Sequence, residues 1–531
     1  MAYYKDLRDY INVLEKNNKL QRIKRDINKD TELHPLVRWQ FQGRVPEADR
    51  KAFLFENVGD AKGKRYNGQV LVASHAASRQ IYALAFKCEV EGIRAKWEQA
   101  QFHPIEPKIV PEGVVQEEVH VGGNLLEHGG LEEFPVPIAT PGFDNAPYIN
   151  SGSWITKDPE TGISNAAVHR GMVKSRTRVG CCIANPVKHL GIHLQKYRER
   201  GMPSMPVAIV IGATPNLFLV SSTRIPYGLS ELAVCGGIAG EAMELVKCKT
   251  VDIEVPASAE IVIEGEMPTH SLEREGPYGE HTGYVGMGWP NAYLNVTCIT
   301  HRKKPIWNAI QSIFPPSESS ILTIIGLEGA CYKFLKRDCG ISSVLDVTYH
   351  EESGAKQFCV VRLAKTSQAE VWKALKAADA FFPDCGKMIV AVDEDIDARD
   401  IDSVLWAMCY RMQPKRDVEF AAGKVPTLDP STAPLKPWQP QYQGPTTYYS
   451  MLMNATMKWD YPPICLPRKD LMENAMKIWK EEGLPPLRPK APWYGVSLGN
   501  WTSENEEEAE LALRGEHYQT GEKLARGRLE D

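Results

Sequence analysis

A chain of 531 residues exceeds what one hydrophobic core usually organises, so two or three domains are expected. An apolar fraction of 43% and a charged fraction of 24% are those of an ordinary globular protein, and a formal net charge of -5 excludes an electrostatic case for nucleic acid. No stretch reaches the uninterrupted apolar length of a membrane span and the start lacks an apolar signal region, so a cytoplasmic location is expected. Twelve cysteines lie scattered without CxxC pairing, which favours reduced, buried thiols over disulfides or a zinc framework.

Leu7, Tyr10, Ile11, Leu14 and Leu20 recur at near-helical spacing with charges between them and predict an amphipathic opening helix. Short apolar runs at 52–55 and 70–73 follow, so residues 1–112 read as an N-terminal α/β domain whose exit is marked by Pro104, Pro107 and Pro111. Over 113–322 the pattern changes to strands, at 171–173, 207–212, 251–255, 260–265 and 293–299, and this alternation favours a β-barrel-like core with inserted helices. Residues 323–460 return to α/β, with a helix at 368–378, a strand at 388–392, a helix at 402–412 and an extended proline-rich stretch at 426–445. The remainder, 461–531, reads as a helix and a tail carrying the acidic run Glu506, Glu507 and Glu508, too poor in apolar residues for a core of its own and expected to wrap another subunit or stay mobile.

Four clusters in the central stretch carry chemistry. The sharpest is Glu273-Arg274-Glu275-Gly276-Pro277-Tyr278-Gly279-Glu280-His281-Thr282-Gly283-Tyr284, too polar for a core and too interrupted by glycine for a helix. Glu275 and Glu280 stand five positions apart across a Gly-Pro-Tyr-Gly turn whose glycines permit backbone reversals, so the two carboxylates can converge. Crowded carboxylates beside a cation differ in proton affinity, as an acid-base site requires.

The second cluster, Asp158-Pro159-Glu160-Thr161-Gly162, followed by Asn165 and Arg170, is a turn feeding a strand. A lone strand arginine is ordinarily a surface ion pair, unless Arg170 faces the Glu275/Glu280 loop. In the third, His189 and His193 sit at i and i+4 where the chain enters a helix after Asn185-Pro186-Val187-Lys188. That spacing can hold a metal, but the HExxH glutamate is absent and further ligands must come from elsewhere. The fourth, Ser221-Ser222-Thr223-Arg224-Ile225-Pro226-Tyr227-Gly228-Leu229-Ser230-Glu231, is a hydroxyl-rich turn suited to a hard cation, or an ordinary strand exit with Glu231 in solvent. Asn165, His189 and Glu231 taken together would suit manganese or magnesium better than structural zinc. There is no P-loop or Rossmann fingerprint, so a nucleotide-derived cofactor would need metal and basic side chains, for which Arg170 and Lys188 are available and Lys387 is a more distant option.

Together these clusters resemble the UbiD family of decarboxylases, over about residues 5–480. Asp6-Leu7-Arg8-Asp9-Tyr10 and the stretch from Pro135 and Pro137 to Tyr148 match its flavour; the Asp158 turn with Asn165 and Arg170 matches more sharply, and the Glu275-to-Glu280 loop is close to diagnostic. The resemblance implies an N-terminal α/β domain, a central split β-barrel that binds prenylated flavin mononucleotide, and a C-terminal α/β oligomerisation domain. It also implies a cofactor phosphate anchored through Mn2+ or Mg2+, with K+ nearby. Asn165, His189 and Glu231 fall on the divalent-metal positions, and Ser221, Thr223 and Glu231 on the potassium positions. Cofactor contacts fall on Asn165, Val168, His169, Arg170, Lys188, His189, Ser221, Glu231 and Lys387, and the catalytic network on Arg170, Glu275 and Glu280.

The implied activity is a reversible, non-oxidative decarboxylation of a hydroxybenzoate-like aromatic acid in which Glu280 donates the proton. A homo-oligomer, dimer or hexamer, supplied with cofactor by a flavin prenyltransferase is implied as well. Alternatives are decarboxylation of an aromatic acyl-CoA thioester, carboxylation of an aromatic ring, or a non-catalytic cofactor-binding subunit of a carboxylase assembly. The retained Arg170/Glu275/Glu280 set argues against the last. Lys188 departs from the glutamine of relatives acting on cinnamic-type acids and would put a cation near the substrate. The tail around Pro492-Trp493-Tyr494-Gly495 exceeds the compact members and speaks against the ubiquinone-pathway enzyme itself.

Overall fold

The computed structural model describes residues 2–183, 188–424, 428–432 and 448–527; Asn185, Pro186 and Val187 and most of the proline-rich stretch at 426–445 lie outside the described residues. Asp6 caps the opening helix Leu7–Lys16 by accepting the Asp9 N–H at 2.8 Å, and Leu7, Tyr10, Ile11 and Leu14 form its buried face. The helix ends at Asn17, and Asn18 turns the chain at φ 56°, a left-handed conformation that asparagine tolerates. Leu20, expected on the helix, therefore opens the strand Leu20–Asn28.

The described residues divide into two compact units: the first holds the chain as far as Ala330 together with Tyr349–Gln357, residues 428–432 and Tyr448, the second Cys331–Thr348, Phe358–Lys424 and the chain from Tyr449 on. In the first unit a four-stranded sheet runs in the order Leu20–Asn28, Ala52–Gly59, Gln69–Val72 and Ile306–Ala309. Its last strand returns from far along the chain to lie parallel to Gln69–Val72, with Ile306 beside Gln69. The N-terminal segment thus shares one apolar core, from Tyr3 to Ile325, with the strands that follow it.

The central sheet has ten strands. Eight lie side by side in the order Tyr148–Ile149, Gly171–Ser175, Arg178–Cys181, Pro290–His301, Ile261–Pro268, Ser204–Ile211, Ser153–Lys157 and Ser164–Val168; Glu118–Val121 and Glu273–Arg274 also pair with Pro290–His301. Among the described residues this order does not close on itself, in keeping with a split rather than a closed barrel. The stretch Val207–Ile211 reads as a continuous apolar run because both faces of the strand Ser204–Ile211 are covered. The strand expected at 251–255 is reduced to Glu254–Pro256, the edge of a separate three-stranded sheet.

The second unit is built on a five-stranded sheet in the order Val344–Tyr349, Phe358–Leu363, Met388–Asp393, Tyr449–Ala455 and Val418–Ala422. Its three central strands are parallel, which requires crossover helices: Gln368–Phe381, capped by Ser367, and Ile401–Tyr410, capped by Asp400. Beyond them Lys469–Glu481, Ser503–Leu513 and Tyr518–Arg526 are helices with no buried residue. No described helix is long and apolar enough to cross a membrane. All twelve cysteines are free thiols.

Candidate active site

Arg170 follows the strand Ser164–Val168 by two residues, and its guanidinium meets the Glu275–Glu280 loop. Nε and Nη2 donate to the two oxygens of Glu275 at 2.8 and 2.9 Å, and Nη1 donates to Glu280 Oε1. The rings of Tyr278 and Trp289 each lie 5.2 Å from the guanidinium carbon, giving the cation aromatic walls. Asn291 Nδ2 donates to Glu275 Oε2 at 3.0 Å. The Glu275 side chain is fully buried, and both its oxygens are spent on fixed partners.

Glu280 differs. Burial raises its proton affinity above the ordinary carboxylate range, opposed by Arg170 and Lys188 and assisted by Glu275. Arg170 is itself desolvated, yet Glu280 and Glu275 raise its pKa and keep it charged. The loop can come this close only because its glycines lack side chains. A Cβ on Gly276 would stand 2.0 Å from Asn145 Oδ1, and one on Gly279 would stand 2.3 Å from Ile313 Cγ2, so close approach rather than backbone reversal explains these two positions.

The other clusters converge around the strand Ser164–Val168, on which the helices Pro215–Ser221 and Glu231–Ala239 pack. Asn165 Oδ1 lies 3.0 Å from His189 Nδ1, the first residue of the helix His189–Glu199, and Glu231 Oε1 lies 3.6 Å from that same nitrogen. Glu231 is buried, not solvated, and its Oε2 accepts the Ala166 N–H at 3.0 Å. The three line a small hollow of about 40 Å³, together with Asp158, His193 and Tyr227.

Asp158 and His193 are structural in this setting. Asp158 accepts from Lys196 at 2.8 Å and from Tyr227 at 2.5 Å, which holds its pKa below the usual range against its burial. His193 Nδ1 pairs with Thr156 at 2.9 Å, and burial lowers its pKa to about 4.

Several buried polar atoms near these groups have no hydrogen-bond partner: Asn165 Nδ2, Ser221 Oγ and His169 Nε2. Such atoms are costly unless a ligand completes them. An amide oxygen, an imidazole and a carboxylate are also a donor set that accepts a hard divalent cation. His169 Nδ1 faces the Cys182 carbonyl oxygen at 3.1 Å, and burial lowers its pKa to about 4, so a neutral ring turns Nε2 outward as an acceptor. Thr223 spends its hydroxyl on the Leu219 carbonyl at 2.9 Å, which leaves only its backbone for a cation. Val168 ends the strand. Lys188 caps the helix His189–Glu199 with its side chain exposed. Lys387 belongs to the second unit, ahead of the strand Met388–Asp393.

Two residues of the site carry no motif in the sequence. Asn291, on the long strand Pro290–His301, fixes Glu275, and only the fold reveals this. Asp144 is buried with Oδ1 unpartnered, and desolvation raises its pKa to about 6 against the Thr140 and Ala139 backbone donors. Its one sequence signal is a carboxylate between Phe143 and Asn145 in an otherwise apolar, proline-rich stretch.

Comparison with known proteins bears on this geometry. Residues 108–313 match the 3-octaprenyl-4-hydroxybenzoate carboxy-lyase Rift-related domain, and residues 323–439 match the C-terminal domain of the same family. The chain is similar to the UbiD-class enzyme HmfF from Pelotomaculum thermopropionicum in complex with FMN, at 28% identity and TM-score 0.76 over 89% of this chain and 99% of that one. It is likewise similar to an evolved dimeric form of HmfF in complex with prFMN, at 28% identity and TM-score 0.73 over 87% and 97%. Klebsiella pneumoniae 3,4-dihydroxybenzoic acid decarboxylase (AroY) matches at 25% identity and TM-score 0.74 over 92% and 97%.

Proposed function

Because the chain belongs to the UbiD family and is a carboxy-lyase, we propose that it is a prenylated-FMN-dependent decarboxylase of an aromatic carboxylic acid, with Glu280 as proton donor. The observation that carries this reading is the asymmetric fork at Arg170: Glu275 gives both oxygens to the guanidinium and Asn291, whereas Glu280 gives one and has its proton affinity raised by burial. Prenylated FMN, when bound, supplies the electron sink that loss of CO2 from an aromatic carbon requires.

The chain's own residues do the rest. Asn165, His189 and Glu231 would hold a divalent ion, manganese or magnesium, and the backbone around Ser221 and Thr223 would hold potassium. The unpartnered Asn165 Nδ2, Ser221 Oγ and His169 Nε2 fit a polar cofactor beside them. Arg170 fixes the carboxylates and offers a planar, charged donor to the departing carboxylate. When the bond between ring carbon and carboxyl breaks, CO2 leaves, the electron pair stays at the carbon, and the Glu280 proton takes the vacated position. In the reverse direction the same carboxylate accepts that proton.

Lys188 supports a finer reading of the substrate. It is exposed and close enough to affect the Glu280 carboxyl and His169 electrostatically, so a polar or anionic ring substituent is the proposed preference. The same proposal includes a homo-oligomer in the cytoplasm that receives its cofactor from a flavin prenyltransferase.

The test is co-expression with a flavin prenyltransferase, followed by absorbance spectroscopy and CO2 release across a panel of aromatic acids. A modified-flavin spectrum with release from at least one acid is expected. Protein that takes up neither flavin nor metal, or that is loaded but inert on every acid in the panel, would overturn the reading.

A further inference from the structure

A second cluster of ligating side chains lies at the opposite end of the central strand from the Arg170 fork. Glu118–Val121 pairs antiparallel with the end of Pro290–His301, setting His120 opposite Ile299 and Glu118 opposite His301. Strand alternation puts His120 and His301 on one face, diagonal to each other, with both rings buried. The helix Gly123–Glu127 then turns the chain back, and its capping residue His128 lays its ring on that of His120, with centroids 3.9 Å apart and planes 12° from parallel. The 3₁₀ turn Gly130–Glu133 brings a carboxylate into the group. Glu133 Oε2 lies 2.9 Å from His120 Nδ1, and Oε1 lies 3.5 Å from His301 Nε2.

His301 makes this cluster unusual. Its Nδ1 faces the Arg302 carbonyl oxygen at 2.8 Å, so that nitrogen carries the hydrogen, and Nε2 is buried with no hydrogen bond. In the neutral ring this Nε2 is a lone pair turned toward a carboxylate, an arrangement that calls for positive charge between them. Protonation of His301 is one way to supply that charge: burial lowers its pKa, but Glu133 more than offsets this and raises it. A metal ion is the other, and two observations favour it. Ligand atoms of His120, His128 and Glu133 lie within 4.8 Å of one another. Three imidazoles and a carboxylate form a nitrogen-rich set matched to zinc rather than to magnesium or calcium. His128 is the exposed member, and binding would require it to leave its parallel stack on His120 to aim a lone pair at the point the other ligands face.

We infer that His120, His128, Glu133 and His301 form a binding site for a divalent transition ion of the zinc class, separate from the candidate catalytic centre. Asn291 and His301 are ten residues apart on one strand, about 33 Å at strand spacing, so this ion takes no part in the chemistry. It would staple the excursion from Glu118 to Glu133 onto the end of the central strand.

The experiment uses the full-length protein saturated with Mn2+, desalted and titrated with Zn2+ by calorimetry, with bound zinc counted by elemental analysis. Wild type should bind one more equivalent of zinc than His128→Ala, and zinc should raise its Tm by a few degrees, a shift lost in the variant. His128 is exposed, so its variant should fold; His301→Gln provides the buried control and should lose the same equivalent. Decarboxylation should not change in His128→Ala. Equal zinc stoichiometry and equal Tm shifts in wild type and His128→Ala would overturn the site. So would a Tm that falls as pH rises through the histidine range but ignores zinc, which would identify a protonated His301 paired with Glu133.

Discussion

Arg170 in the first unit and Arg411 in the second are both arginines forked between two carboxylates beside an aromatic ring. Arg411 caps the helix Ile401–Tyr410 and reaches Asp393 at 2.7 Å and both oxygens of Asp395 at 2.7 and 2.6 Å, with the Trp406 ring 5.2 Å away. Each fork contains one carboxyl whose proton affinity is raised by burial, Glu280 in the first and Asp393 in the second. A perturbed acid therefore does not by itself mark a site of chemistry.

The surroundings separate them. Around Arg411 the network closes on itself: the Met457 N–H donates to Asp393 at 2.9 Å, and the Lys458 ammonium donates to the Arg411 carbonyl at 2.9 Å. On and around the strand that leads to Arg170, His169, Asn165 and Ser221 carry unpartnered buried atoms, and Arg170 holds Glu280 through one oxygen only. The Arg411 network is satisfied within the chain, whereas the surroundings of Arg170 keep buried polar atoms without a partner among the described residues.

Substitutions can break this contrast, and the largest expected effect is at Glu280. Glu280→Gln keeps the shape and should retain bound cofactor while lowering turnover about 10²–10⁴-fold, the range of a lost general acid; a loss below tenfold in single-turnover assays would remove its role. Arg170→Met and Arg411→Met come next. Each leaves buried carboxylates unpaired, and Arg411→Met should cost about 3–5 kcal/mol of stability in denaturant melts while leaving kcat per folded molecule unchanged. Arg170→Met should abolish turnover even in the fraction that remains folded. If both variants behaved alike in both assays, the contrast between the forks would collapse.

The pH dependence sharpens the same point. Glu280 binds its proton more tightly in the folded protein than in the unfolded chain, so its acid form persists above the ordinary carboxylate range, and turnover should fall as pH rises through its folded pKa. Its contribution to stability has the same sign: fully present below pH 4.5, lost as pH rises through the folded value. Asp158 runs the other way, contributing stability above pH 3.8 that is lost as pH falls through its depressed pKa. Chemical denaturation from pH 2 to 8 in wild type, Glu280→Gln and Asp158→Asn would separate the two slopes. The smallest effect is expected at Asn291→Leu, which removes one hydrogen bond from Glu275 and should cost about 1–3 kcal/mol, read as a lower Tm and a reduced kcat with KM nearly constant.

What the sequence made legible follows from which forces are local. The opening helix, the crossover helices and most apolar strands are encoded by periodicity and caps and form where the pattern puts them; the exceptions are Leu20, which two asparagines detach from its helix, and the strand expected at 251–255, which shrinks to Glu254–Pro256. The site clusters were legible as residue types because glycine and proline punctuate them. Their meeting was not: whether Arg170 faces Glu275 or solvent depends on packing between segments about a hundred residues apart, which periodicity does not record. Asn291, Asp144 and the histidines at 120, 128 and 301 escaped because each gains its role from burial and from side-chain contacts that residue spacing does not record. The glycines at 276 and 279 were legible as necessary, but for a different cause than close packing.

The strand Pro290–His301 also has a consequence for how the chain is made. Its partners Glu118–Val121, Arg178–Cys181 and Ile261–Pro268 all leave the ribosome before it does, and none can complete the central sheet alone. Such non-local pairing delays closure and leaves apolar strand edges waiting in the nascent chain. Synthesis must pass residue 301, and then residue 309 for the sheet nearest the N-terminus, before the first unit can bury its core. Truncations ending before residue 301 should therefore be recovered as aggregates rather than as folded fragments.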